Sequence, residues 1–142
     1  GAITSFNNFT RFLLLCLNLL RNILPNLLLY KLFAYIIMPK SNHKESRRVF
    51  VNEAKLIKGK AFSQLLDLIP DLTKYIMYLK PANFNKYILF LSGQDDYLFS
   101  EDVRRFSSKN PLHSYCLIEN AGHVVNIDNP YVFNKKVLEY LK

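Results

Sequence analysis

The sequence is poor in glycine and cysteine and contains no tryptophan. Of its 142 residues, four are glycine, six are proline and two are cysteine. So little glycine and proline excludes collagen-like chains and flexible linkers. Half of the residues are hydrophobic, which excludes an intrinsically disordered chain. A chain of this length and composition is sufficient to form one hydrophobic core.

The two cysteines, Cys16 and Cys116, lie 100 positions apart. We interpret them as free thiols of the core, because two such cysteines form neither a disulfide framework nor a metal cluster. Free thiols are typical of a reducing compartment, so we expect a cytoplasmic protein. No cofactor is predicted. The histidines His43 and His113 have no carboxylate or cysteine at metal-ligand spacing, and we interpret both as solvated loop residues.

No uninterrupted hydrophobic run is long enough to span a membrane. Between Phe12 and Met38, 21 of 27 residues are apolar, but the longest uncharged stretches are nine residues. A membrane-spanning helix needs about 20. Pro25 divides the segment into two predicted helices, at about residues 5–23 and 26–37. We expect their wide apolar faces to pack within the protein; a lipid-like ligand is the alternative, and membrane association is disfavoured.

The basic excess, a formal charge of +8, belongs to one part of the chain. Residues 1–86 contain 13 basic and four acidic side chains, whereas residues 87–142 contain six and seven. The first part is helical in pattern throughout, with a third helix capped by Ser46 and a further helical stretch broken at Pro70. Its charges are scattered around the helices without a nucleic-acid-binding motif, so we expect no nucleic-acid partner. We therefore predict a helical region at 1–86.

The pattern changes to alternating strands and helices after residue 86. The predicted elements are, in order, a strand at residues 87–91, a short helix beginning at Ser100, a strand at 114–118 and a closing helix beginning at Pro130. Strand–helix–strand order predicts a right-handed crossover with parallel strands. Because parallel sheets are covered on both faces and contain more strands, we expect the end of a larger α/β sheet.

Ionisable side chains follow both predicted strands. Asp95 and Asp96 come after the first strand, and His123 lies in the loop after the second. The carboxyl ends of adjacent parallel strands are neighbours, so we expect a carboxylate and the imidazole to come within hydrogen-bond distance. Such a pair fixes the histidine tautomer and lets the other ring nitrogen act as a general base. The alternative is that the acid belongs to a turn and the histidine to a loop, and that neither has a catalytic task. We interpret a third ionisable residue, Asp128, as a helix-start residue.

Two segments carry a resemblance to a known family. Ile88–Asp96, which includes Gly93-Gln94-Asp95-Asp96, and Asn120–Pro130, which includes Gly122-His123, resemble the C-terminal signature of the α/β-hydrolase family. In that family a G-x-x-D turn supplies the acid of the catalytic triad, and a G-H loop supplies its histidine. The resemblance implies that Asp96 is the acid and His123 the base.

The resemblance also implies an architecture: the C-terminal part of an α/β-hydrolase fold, with a helical cap followed by two parallel strands and two helices. Residues 1–80 resemble, more loosely, the variable cap of that family. Residues 87–142 then belong to the hydrolase core. Gly1-Ala2 would be the tail of the strand that precedes the cap.

One element of the family pattern is missing from the sequence. No serine or cysteine lies in a G-x-S-x-G nucleophile elbow, and no glycine-rich oxyanion loop is present. We therefore expect the C-terminal half of a serine hydrolase, which would account for a chain that starts at Gly1 rather than Met. We expect the fragment alone to be inactive, and to pair with the missing N-terminal half or with a second copy of itself.

The sequence thus supports two functions of different classes. The first is a fragment of a serine-type hydrolase that acts on a small-molecule ester or other acyl substrate, with Asp96 and His123 in catalysis. The leucine-rich cap favours an acyl or aromatic group in that substrate. The second is a non-enzymatic helical module that binds a lipid tail or a partner chain. A separation of more than about 5 Å between Asp96 and His123 would favour the second.

Overall fold

The computed structural model describes residues 3–57 and 59–142; Gly1-Ala2, the predicted tail of a preceding strand, lies outside them. The helices are α1 (Asn8–Leu20), α2 (Asn26–Ile37), α3 (Lys44–Leu56), α4 (Gly59–Asp67), α5 (Ile69–Tyr78), α6 (Ser100–Ser107), α7 (Val125–Asp128) and α8 (Pro130–Tyr140). The strands are β1 (Ile88–Gly93) and β2 (His113–Ile118), and short 3₁₀ turns occupy Ser41–His43 and Pro81–Asn83. The chain is therefore a mixed α/β structure.

Local signals explain where the first helices begin and end. The Asn7 side chain accepts a hydrogen bond from the backbone N–H of Thr10 at 2.8 Å and so caps α1. Pro25 separates α1 from α2, as predicted. The later helical stretch breaks at Leu68, not at Pro70 as predicted, because proline is compatible with the first turn of a helix and Pro70 lies in the first turn of α5.

The apolar helices at the start of the chain do not have the properties of a membrane span. Within the described residues, none of the helices combines the length and the apolarity that crossing a bilayer requires.

The two strands pair in parallel, as the strand–helix–strand order predicted. Their register places Ile88 beside His113 and Gly93 beside Ile118, so both carboxyl ends lie at the same edge of the sheet. The pairing continues into the loop after β1, where the backbone N–H of Gln94 donates to the carbonyl of Ile118 at 2.9 Å. Among the described residues β1 pairs only with β2, and β1 is mainly half-buried.

Two hydrophobic clusters meet at the loop that carries His123. The first joins α2 to the segment after β1, and its buried members are Ala34, Ile37, Met38, Leu98 and Phe99. The second joins β2 to α7, and its buried members are Ile118, Ala121 and Val125. Val124 packs against the first cluster while its neighbour Val125 belongs to the second. The backbone immediately after His123 is therefore anchored on both sides.

Four residues are placed differently from their prediction. Ser46 lies inside α3 and is buried, so it does not cap that helix; its hydroxyl donates to Asp128. Asp128 closes the short helix α7, whose four residues were too few for a periodic pattern to predict. His43 is completely buried, and both ring nitrogens of His113 are buried, so neither histidine is solvated.

The remaining predictions for this region concern the cysteines. Cys16, in α1, and Cys116, in β2, are both free and both half-buried. They therefore lie at the margin of the core rather than at its centre.

Candidate active site

The turn after β1 holds Asp96 in a fixed backbone position. Gly93–Asp96 closes as a turn in which the N–H of Asp96 donates to the carbonyl of Gly93 at 3.1 Å. The carbonyl of Asp96 in turn accepts from the N–H of Ser100 at 3.0 Å, at the start of α6. The Asp96 side chain is buried, with only 4% of its surface exposed. Its direction is thus set by backbone hydrogen bonds on both sides.

His123 reaches this carboxylate from the loop after β2. The Nδ1 atom of His123 lies 2.9 Å from Oδ2 of Asp96. The expectation that a carboxylate and an imidazole meet at this edge of the sheet is therefore confirmed. Because a carboxylate oxygen only accepts, the contact requires a proton on Nδ1, and in the neutral imidazole Nε2 is then the acceptor. Among the described residues, Nε2 makes no hydrogen bond.

An apolar ring lies against the imidazole of His123. The Phe99 ring lies 5.1 Å from the His123 ring, measured between centroids, and Phe99 belongs to the first hydrophobic cluster. The same phenylalanine lines a partly open apolar cavity of about 160 Å³, together with residues of α1, α2, α5 and the segment before α1. A second apolar cavity, of about 240 Å³, shares Leu14, Phe33 and Ile69 with the first.

Asp96 also affects its neighbour in the sequence. Partial burial raises the pKa of the Tyr97 hydroxyl, and the negative charge of Asp96 raises it further. The hydroxyl donates to the carbonyl of Ile36, at the end of α2. Tyr97 thus links the turn that carries Asp96 to the helical region.

Asp95, the other carboxylate of this turn, has different partners. Lys40 approaches its Oδ1 at 2.5 Å, and Asn42 donates to its Oδ2 at 3.3 Å. The hydrogen bond from Lys40, followed by weaker effects of Asn42 and of the nearby His43 ring, holds the pKa of Asp95 below its ordinary value. Asp95 therefore joins the helical region to the sheet, and only Asp96 reaches His123.

Comparisons of the chain with protein-family models, with curated proteins and with solved structures found no match.

No metal centre is formed by the residues in the described ranges, since they contain no group of three or more histidine, cysteine or acidic side chains placed to hold an ion.

Several residues of this region carry no signal in the sequence. Lys40, Asn42 and His43 lie in a polar segment that resembles any exposed turn, and Phe99 resembles any core phenylalanine. Asn42 also donates to the carbonyl of Asn120 at 3.1 Å, across 78 positions of sequence. A contact at that distance along the chain leaves no trace in local periodicity.

Proposed function

We propose that this chain supplies the acid and the base of a serine-type α/β-hydrolase that acts on an ester or other acyl substrate. The observation that carries the proposal is the 2.9 Å contact between Nδ1 of His123 and Oδ2 of Asp96. Nε2 of His123, which makes no hydrogen bond among the described residues, is then available to a nucleophile. The order of the acid and histidine after two successive parallel strands agrees with the resemblance to that family.

The proposed reaction proceeds in two steps. A serine outside these 142 residues attacks the acyl carbon, His123 takes the hydroxyl proton on Nε2, and Asp96 stabilises the resulting imidazolium. His123 then returns that proton to the departing alcohol, which leaves an acyl-enzyme. In the second step a water molecule attacks the acyl carbon with proton transfer to His123, and the serine oxygen leaves with that proton.

Two further features support a nucleophile from outside the chain. The sequence contains no G-x-S-x-G elbow. Strand β1 pairs on one side only within the part of the chain that the structure describes, whereas parallel strands normally lie inside larger sheets. An elbow on a further strand beside β1 would lie at the same edge as Asp96 and His123.

The surroundings of His123 favour an apolar acyl group. Phe99 contacts the His123 ring and lines the 160 Å³ cavity, whose lining is almost entirely hydrophobic. Phe99 thus borders both the imidazole and an apolar space that could hold an acyl chain. This supports acyl esters as the substrate class over small polar esters.

The test is ester hydrolysis by the complete polypeptide that contains these residues. We expect cleavage of p-nitrophenyl esters, and a fall in kcat of about 10⁴-fold for Asp96→Asn, since the wrong histidine tautomer is then favoured. His123→Ala should reduce activity at least as much. The matched control is His113→Ala, which removes a histidine from the opposite end of β2. Full activity in His123→Ala would refute the proposal.

A second function is favoured by one observation. The outer side of α1 and the turn after it expose large apolar side chains, among which Phe12, Leu19 and Ile23 are 59%, 63% and 74% exposed. An exposed apolar surface of this kind is typical of a binding site for a lipid tail or a partner chain. In a helical binding module, Phe12→Ser with Leu19→Ser would abolish binding of a fluorescent fatty acid, and His123→Ala would leave it unchanged.

A further inference from the structure

The segment Lys40–Ser46 runs from the end of α2 into the first turn of α3. It contacts both loops that carry the pair Asp96–His123, which we call the dyad. We call Lys40–Ser46 the clamp segment. On one side it contacts Asp95, the residue before Asp96. On the other it contacts Asn120 and Gly122, the latter being the residue before His123. The segment is therefore placed to control the position of both members of the pair.

On the acid side, three side chains of the clamp segment converge on Asp95. Lys40 contacts Oδ1 at 2.5 Å, Asn42 donates to Oδ2 at 3.3 Å, and Nε2 of His43 lies 3.4 Å from Oδ2. The Asp95 side chain is only 10% exposed, although Lys40 reaches it from solvent. These contacts fix the position of Asp95 in the turn, and Asp96 is the next residue.

On the base side, the contacts reach the backbone of the loop. Asn42 donates to the carbonyl of Asn120 at 3.1 Å, so one side-chain amide joins the two loops. Asn120 adopts a positive φ of 54°, and the chain reverses there between β2 and His123. Holding this carbonyl therefore holds the reversal that directs the loop toward Asp96.

The His43 ring packs against Gly122 without space for a side chain. A β-carbon on Gly122 would lie 2.7 Å from Cε1 and from Nε2 of His43. The N–H of Gly122 donates to Oδ2 of Asp128 at 2.8 Å, and Ser46 donates to the other oxygen of Asp128. Gly122 is thus held by the His43 ring and by Asp128, which Ser46 of the clamp segment contacts in turn.

His43 occupies this position at a cost in free energy. Its residue surface is completely buried, and neither ring nitrogen makes a hydrogen bond within the described part of the chain. A buried polar group without such a bond is unfavourable, and an apolar side chain of similar size would be expected if filling space were its only task. The imidazole instead combines a flat surface for Gly122 with a nitrogen directed at Asp95.

We propose that the clamp segment positions the dyad, with His43 and Asn42 as positioning residues that keep His123 in the Nδ1–H tautomer against Asp96. The inference rests on the proposed function, because a fixed tautomer serves a histidine that acts as a base through Nε2. It goes further by assigning the orientation of Asp96 and His123 to the clamp segment, which belongs to the helical region.

The experiment reads the tautomer of His123 by long-range ¹H–¹⁵N NMR on the 142-residue chain, labelled at histidine, at mildly alkaline pH. We expect the Nδ1–H form in the wild-type chain. In His43→Ala and Asn42→Ala the ratio of Nδ1–H to Nε2–H should fall roughly tenfold, because the hydrogen bond from Nδ1–H of His123 to the charged Asp96 carboxylate is weakened. His113→Ala removes a buried imidazole at the amino end of β2 and should leave the ratio unchanged.

Two results would overturn the inference: a wild-type His123 without the Nδ1–H form, or an unchanged ratio in both clamp variants. Should His43→Ala fail to fold, the exposed residue Asn42 carries the test, with Lys40→Ala as its companion. The NMR measurement requires no substrate, so it is independent of catalysis. A tautomer shift in the variants together with full esterase activity of His123→Ala would retain the clamp and refute the proposed hydrolase.

Discussion

The backbone of Gly93 lies against the carbonyl group of Ala121, so closely that a β-carbon on Gly93 would be 2.2 Å from that oxygen. The same β-carbon would be 2.2 Å from the carbonyl oxygen of Gly122. The turn that carries Asp96 and the loop that carries His123 therefore touch through main-chain atoms. This contact brings the acid and the imidazole into range before any side chain contributes.

Gly93→Ala should destabilise the fold, because the obstructing atoms belong to the backbone and cannot rotate away. We expect a loss of at least about 1–3 kcal/mol in the free energy of unfolding, the usual range for overpacking. Urea denaturation followed by circular dichroism measures it. Ser92→Ala, at the neighbouring buried position, is the control and should cost less. An unchanged midpoint in Gly93→Ala would contradict the contact.

Gly122→Ala and His43→Ala should be strongly coupled. The alanine methyl at position 122 collides with the His43 ring, which is buried and has no room to move. Removing the ring relieves the collision, so the double variant should be more stable than the sum of the single effects implies. A double-mutant cycle in urea should give a coupling of about 0.5–3 kcal/mol. Additive effects would show that the ring and Gly122 are not in contact.

Acid should weaken the attachment of the helical region through Asp95. The contact with Lys40 lowers the pKa of this carboxyl group in the folded state. Its stabilising contribution is therefore complete above the ordinary aspartate pKa of about 3.9 and is lost as the pH falls through the lowered value. Urea midpoints should be measured from pH 6 to pH 2, which spans about two units on either side of that pKa. With falling pH they should decrease less steeply in Asp95→Asn than in the wild-type chain.

Glu101 provides the control for that titration. Hydrogen bonds from Arg104 and Arg105 lower the pKa of Glu101 to about 2. Any stabilisation from Glu101 is therefore also lost as the pH falls, as it is for Asp95. All three side chains are exposed, and about 1 M salt should remove most of their interaction. Equal pH profiles for the wild-type chain and Asp95→Asn would exclude the ion pair with Lys40 as a stabilising contact.

His113→Phe should leave the stability almost unchanged or increase it. The ring nitrogens of His113 are buried and make no hydrogen bond within the described residues, so the substitution removes no bond. Its ring is stacked on Phe106, with an angle of 11° between the planes, and a phenyl ring preserves that arrangement. Thermal denaturation tests this, with His113→Ala as the cavity-forming comparison. A loss above about 1 kcal/mol in His113→Phe would reveal a polar role for the imidazole.

Local patterns in the sequence were sufficient for the elements near the site. The apolar run before Gly93 predicted β1, and Pro130 predicted the start of α8, because side-chain periodicity and proline geometry act within a few residues. The parallel pairing followed from the strand–helix–strand order. The break at Leu68 was missed because Pro70 is compatible with the first turn of α5, and the four-residue helix α7 was missed because a single turn has no period to detect.

The choice between the two adjacent carboxylates shows what the sequence alone determined. Strand order placed Asp95 and Asp96 at the edge where His123 arrives, and only the resemblance to the hydrolase family favoured Asp96. In the tertiary structure Asp96 contacts His123, while Asp95 contacts Lys40 and Asn42. Consecutive residues of a turn direct their side chains differently, and their partners lie 27 to 55 positions away. Local sequence thus determined which loops meet, and long-range packing decided which atoms do.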